Sequence, residues 1–131
     1  MDCVNCREPM IVLEVDQVEI DYCLECGGIW LDSGELGILL DDDDIVAEFL
    51  EKPVMTNHVR ESERLCPECE KNLNELLVDP DNGIYIDRCA DRHGLFFDRG
   101  ELKQVIGLFR TETSKKVASL LKDIFRGDKI D

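Results

Sequence analysis

Apolar positions in the first forty residues change period once, and the change recurs later in the chain. Ile11, Leu13 and Val15 alternate with polar or acidic neighbours, and Val18, Ile20 and Tyr22 do so again after Asp16-Gln17. This predicts a β-hairpin with one apolar face. From Leu36 the spacing lengthens, with Leu36, Leu39 and Leu40 at i, i+3 and i+4, as in a helix. Further on, Asp79-Pro80-Asp81-Asn82-Gly83 is a strong turn sequence, Ile84 and Ile86 resume the alternation, and Leu102, Val105 and Ile106 repeat the helical step.

Between these stretches, Ile45, Val46, Phe49 and Leu50 predict a short helix capped by Asp44 and ending near Pro53, whereas residues 52–64 carry no apolar periodicity and read as a linker. Near the end, Val117, Leu120, Leu121, Ile124 and Phe125 form the apolar stripe of an amphipathic helix over about residues 114–126. That stripe needs a cover, either the protein's own hairpins or a dimer or partner groove. The expected organisation is a first module at 1–51 with an acidic helix, a linker at 52–64, a second module with its helix at 65–110, and a C-terminal helical segment at 111–131. Copies joined by a linker should fold independently.

The returning pattern is a tandem repeat. Ile20 to Leu36 matches Ile86 to Leu102 at eight of seventeen positions, among them Cys23/Cys89, Gly28/Gly94, Asp32/Asp98, Gly34/Gly100 and Glu35/Glu101. The first copy holds Cys3, Cys6, Cys23 and Cys26, two C-x-x-C pairs separated by 16 residues. The second holds Cys66, Cys69 and Cys89, then His93. Its gap is 19 residues, so the extra length falls in the hairpin and not at the cysteines.

Two sets of four soft or borderline ligands match tetrahedral zinc, and a closed four-ligand set is structural because no position remains for water. A C-x-x-C step makes a tight knuckle that turns both sulfurs to one ion, and the hairpin brings the second knuckle back. In the second copy Arg92 falls at the place of Cys26, and His93, one residue on, reaches the vacant corner with a longer side chain. A disulfide framework is disfavoured by the odd count of seven cysteines and the paired spacing. Redox use would need an exposed thiolate with no second pair to chelate it. Modules of this size rarely stand on a hydrophobic core alone, and zinc closes the deficit.

Asp32 and Asp98 each precede a Glu by three residues, a signal for a helix N-terminus. Trp30 and Phe96 sit where a large ring would seal hairpin against helix.

The knuckles followed by Cys26-Gly-Gly-Ile-Trp-Leu-Asp-Ser-Gly-Glu-Leu36 resemble the prokaryotic zinc-ribbon family named for its likeness to the zinc finger of transcription factor IIB. Cys89-x-x-x-His93-Gly-Leu-Phe-Phe-Asp-Arg-Gly-Glu-Leu102 resembles the histidine-ended form of the same family. Val4 stands where the family usually has proline, as Pro67 does in the second knuckle. The resemblance covers about residues 3–40 and 66–106, and it implies a fold and zinc, not a reaction. The expected fold class is therefore small α+β: two tandem zinc ribbons, each followed by a helix, and a C-terminal amphipathic helix.

Charge separates the copies. Residues 1–51 hold fifteen acids against Arg7 alone, a net charge of −14, while residues 52–131 hold fifteen acids and fourteen lysines and arginines. A ribbon that grips phosphates needs a positive face, so the first copy is a poor nucleic-acid binder. An acidic surface promotes solubility, but an excess confined to one half also suits a basic protein partner. Four consecutive carboxylates at Asp41 to Asp44 point in different directions and lack the glycine-bearing loop of a calcium or magnesium site.

No glycine-rich phosphate loop, G-x-S-x-G or H-E-x-x-H occurs, His93 is committed to metal and His58 lies in the linker. No stretch approaches the roughly 20 apolar residues of a membrane span, and reduced thiols fit a soluble cytoplasmic protein. The expected function is a non-enzymatic zinc adaptor or accessory subunit that docks a basic partner, with oligomerisation through the C-terminal helix open. The alternative is a transcription-related factor touching nucleic acid through its C-terminal half, where residues 99–131 carry eight basic and five acidic side chains.

Overall fold

A computed structural model describes residues 1–124. Strands β1 (Ile11–Val15) and β2 (Val18–Tyr22) form the first hairpin, from Ile11 opposite Tyr22 to Val15 opposite Val18. Asp16 and Gln17 turn it with φ of 48° and 70°, the left-handed pair whose twist suits a two-residue hairpin. A third strand, β3 (Ile29–Asp32), adds to β2.

Residues 52–64 are structured and are not a free linker. Helix α1 (Glu35–Leu40) is followed by α2 (Asp43–Met55), which runs through Pro53, and then by strand β4 (Val59–Leu65). Only Ser62 of β4 is buried and Val59 half-buried, so no apolar alternation marks it. The strand is held by backbone pairing to β5 (Asn72–Asp79) and by the Arg60–Glu75 ion pair. The N-cap of α2 is Asp42, not Asp44: its carboxylate accepts from the Ile45 N–H at 3.0 Å.

Strands β6 (Ile84–Arg88) and β7 (Gly94–Phe97) complete the second copy, followed by α3 (Glu101–Gly107) and α4 (Glu112–Ile124). All seven strands join one antiparallel sheet in the order β1-β2-β3-β7-β6-β5-β4. The copies meet at β3 and β7, where Ile29 faces Phe97, Trp30 faces Phe96 and Leu31 faces Leu95. Trp30 and Phe96 are counterparts in the repeat, so the copies are related by a local two-fold axis between them, as subunits of an isologous dimer are. The copies therefore share one sheet and are not two separate bodies on a tether.

Each face of the sheet carries a core. Toward the helices, Ile29, Leu31, Leu95 and Phe97 pack with Leu36, Leu39, Leu102, Val105 and Ile106. On the opposite face Trp30 and Phe96 pack with Leu73 and the cysteines. The two rings were expected against the helices; the two-residue period of a strand turns their neighbours there and sends the rings to the metal side. Asp32 and Asp98 do not cap α1 and α3, whose N-caps are Gly34 and Gly100 at φ 87° and 83°. Instead Glu35 and Glu101 fold back and accept from the N–H of Asp32 at 2.6 Å and of Asp98 at 2.8 Å.

Thr111 and Ser114 start α4 with reciprocal side-chain-to-backbone hydrogen bonds of 2.9 and 2.8 Å. Val117 and Leu121 are fully buried in the helix-side core, so at these positions the protein covers the stripe itself. The Ile124 side chain and Phe125 lie outside the described residues. Among the described residues no helix is long and apolar enough to cross a membrane.

Candidate metal centres

The first knuckle, Cys3 to Cys6, closes through Arg7 N–H donating to Cys3 O at 3.0 Å, with Arg7 at φ 68°. The second closes through Gly27 N–H donating to Cys23 O at 2.9 Å. Gly27 has φ 77°, a conformation that Arg7 also adopts in the first knuckle, but a β-carbon on it would stand 2.9 Å from the Arg99 side chain, so here space as well as conformation favours glycine. Sulfur pairs Cys3/Cys26 and Cys6/Cys23 lie 3.5 and 3.3 Å apart.

The second site repeats this. Cys66 and Cys69 form the knuckle, closed by Glu70 N–H on Cys66 O at 2.9 Å. Cys69 and Cys89 sulfurs are 3.6 Å apart, and His93 brings Nδ1 to 3.7 Å from the Cys66 sulfur and 3.4 Å from that of Cys89. Arg92, at φ 63°, turns the chain so that the imidazole and not its own side chain reaches the corner.

All eight sequence-derived residues are thus gathered into two groups, and within each group the ligand atoms lie within 4.8 Å of one another. Metal–sulfur bonds of about 2.3 Å in a tetrahedron give sulfur–sulfur edges of about 3.8 Å, close to the spacing observed. The two sites fit two zinc ions, one held by four cysteines and one by three cysteines and His93 Nδ1. No carboxylate joins either group among the described residues, so each set is closed.

Thiol acidity within each site is uneven. Burial pushes Cys3 up to about 12 and Cys66 up to about 11. Burial works against the Cys89 thiolate as well, but the N–H groups of His93 and Asp91 outweigh it and bring the thiol down to about 7. Cys23 is lowered in the same way, by the N–H groups of Cys26 and Glu25 against its burial. Cys3, Cys6, Cys23 and Cys26 would hold one zinc ion and Cys66, Cys69, Cys89 and His93 the other, with the thiols bound as thiolates.

One element of these centres was invisible in the sequence. Arg64, on β4, places its guanidinium 5.1 Å from the Phe96 ring centre, 2.8 Å from Asp87 and 2.8 Å from Asp98, and donates to the Asn5 side chain at 2.9 Å. It ties the first knuckle to the second ribbon. Asp87 is 5 % exposed, and burial raises its carboxyl even though Arg64 opposes the shift. No motif marks Arg64, because its role depends on a strand that the hydropathy pattern does not show.

A family model described as transcription factor zinc-finger matches residues 2–42 and 65–107, together well over half of the chain. No curated protein and no solved structure matches it.

Proposed function

The chain belongs to the transcription factor zinc-finger family, and from that premise we propose that it is a non-enzymatic zinc protein working by protein contact, an adaptor or accessory subunit whose acidic N-terminal half docks a basic surface of its partner. Its zinc is structural, because both ligand sets are closed. Free thiols committed to metal suit a reducing compartment.

The observation that carries this reading is the charge asymmetry on one shared scaffold. Fifteen acids stand against one base within residues 1–51. Asp41 to Asp44 are exposed, and none forms an ion pair with the described residues. Among the described residues, the cations that pair with this half come from the other: Lys116 on Asp16 at 3.3 Å, Arg92 on Glu51 at 2.9 Å and Arg88 on the same carboxylate at 3.4 Å.

A partner recovered from the native cell should associate at a rate that falls steeply with salt, because exposed charges are screened over about 10 Å at 0.1 M ionic strength. Replacing Asp41 to Asp44 by Asn keeps a good cap at position 42 and tolerates the left-handed φ of 55° at position 41. It should slow association and leave the fold and both zinc ions in place. A partner indifferent to salt and to that change makes the acidic half a solubility feature. Nucleic-acid contact through the C-terminal half is tested separately, by a salt-dependent gel-shift with the intact protein.

A further inference from the structure

A groove of about 440 Å3 opens between α1, α2 and the β6–β7 end of the sheet. Leu36, Val46, Leu50 and Leu95 give it apolar walls. Asp43 and Glu51, little more than two turns apart on α2, both line it, so it runs roughly 12 Å along that helix. Ser33 stands on its rim near the Arg92 end, its N–H donating to His93 O at 3.0 Å. The repeat counterpart of Ser33 is Arg99, which lays its long side chain against Gly27 in the first copy. The short residue leaves the cationic end of the groove uncovered.

That end holds two guanidinium groups against one carboxylate. Arg92 Nη2 lies 2.9 Å from Glu51 Oε1, and Arg88 Nη1 lies 3.4 Å from the same oxygen. The Arg88 side chain is only 12 % exposed, and its Nε is buried with no hydrogen-bond partner among the described residues. A guanidinium largely removed from water, with so long a contact to its carboxylate, is under-satisfied. Toward the other end Asp43 sets a negative charge. The groove therefore favours a molecule with one anionic head at the arginines and an apolar body on Val46, Leu50 and Leu95. Carboxylate suits it better than phosphate. Its planar fork meets a guanidinium in two parallel hydrogen bonds, and a second negative charge would be repelled by Glu51 and Asp43.

We propose that this groove binds a small monocarboxylate with an apolar chain, its carboxylate at Arg88 and Arg92 and its chain along α2. The head takes the guanidinium edges that line the groove, while Glu51 keeps its hold on Arg92, the closer of its two partners. Burial of the chain against the apolar walls supplies the rest of the affinity. This site goes beyond the docking of a basic partner and does not depend on it.

The test titrates the intact zinc-loaded protein with octanoate, 1-octanol and octylamine, followed by NMR at the methyl groups of Val46, Leu50 and Leu95. Octanoate is expected to shift these signals to saturation and to bind roughly tenfold or more tightly than either of the others. Arg88→Met keeps an apolar stem and should bring octanoate down to the level of octanol. Glu51→Gln removes the competing carboxylate and should tighten octanoate severalfold while leaving octanol unchanged, which a purely structural role for the Arg–Glu cluster would not produce. Should Arg88→Met fail to fold, the Glu51→Gln comparison decides alone. Equal binding of octanoate and octanol reduces the groove to an apolar crevice and overturns the proposal, as does the lack of any saturable shift at these methyl groups. An acetylated trileucine acid that displaces octanoate, and loses that ability when amidated, makes the C-terminus of a partner chain the occupant, with the same consequence.

Discussion

Trp30 and Phe96 lie directly opposite each other across the β3–β7 ladder, and each ring occupies the space left by a glycine of the other copy. A β-carbon on Gly28 would stand 2.5 Å from Phe96 Cζ, and one on Gly94 would stand 2.7 Å from Trp30 Cε2. Gly28 and Gly94 are themselves repeat counterparts. The glycine and aromatic positions of the repeated motif therefore serve the junction between copies as well as the knuckle within each.

Gly28→Ala is expected to cost about 1–3 kcal/mol, because the Phe96 ring is fully buried and has little room to withdraw. Phe96→Leu alone should also destabilise. Combined, the two should cost less than the sum of the single changes, since the smaller side chain vacates the space that the methyl enters. Denaturant unfolding of the four proteins in this cycle measures the coupling, and strict additivity would disprove the reciprocal seating.

The sequence made the ligands, hairpins and helical faces legible because each follows a local rule: knuckle spacing at Cys3/Cys6, alternation at Val18/Ile20, and the i, i+3, i+4 step at Leu36/Leu39/Leu40. It did not disclose β3 and β7, since Ile29-Trp30-Leu31 and Leu95-Phe96-Phe97 are buried on both faces and have no alternation to read. Strand β4 was hidden for the opposite reason. It is almost wholly polar, and its stability comes from β5 and from Arg64's partners, which lie 23 and 34 residues away in sequence. The junction between copies was missed because a repeat reveals that two units are alike without revealing how they pack.

Arg64→Ala should destabilise by roughly 3 kcal/mol or more. It strands the Asp87 carboxylate, whose Oδ1 already has no hydrogen-bond partner and whose Oδ2 has Arg64. Asp87→Asn added to Arg64→Ala should recover part of the loss by removing the stranded charge. Thermal melting of the single and double variants checks the expectation.

Leu121→Asp should lower stability by about 4 kcal/mol or more, because Leu121 is fully buried between α4 and the helix-side core. Melting together with light scattering separates this from a partner-site role, in which the fold would survive and association would be lost.

Glu101 is raised to about 7, chiefly by burial and against the help of the Asp98 N–H. In the unfolded chain this group gives up its proton nearer the ordinary value of 4.5. Between those values the folded state holds more protons, so the group's contribution to stability falls as pH rises and is lost by about 7. Glu101→Gln retains an oxygen for the Asp98 N–H and removes the titration. The melting difference between variant and wild type should therefore shift in favour of the variant from pH 5.5 to 8, an interval of about 2.5 units that covers the upper part of the transition, with zinc in excess throughout.

Native mass spectrometry should show two zinc ions per chain, lost on chelation, and the two sites should fail together. The reason is the shared sheet. Removing one ligand by His93→Ala loosens the turn between β6 and β7, and β7 is the strand on which β3 of the first copy rests. Structural zinc contributes on the order of 10 kcal/mol to small modules, more than the margin by which most domains stay folded. A weakened second site should therefore lower the single melting transition of the whole protein and raise the rate at which the first zinc is released to a chelator. Independent modules would give a different result: two transitions, with the first unchanged in His93→Ala and its zinc lost at the wild-type rate. Calorimetry and timed chelation on the same samples decide between them.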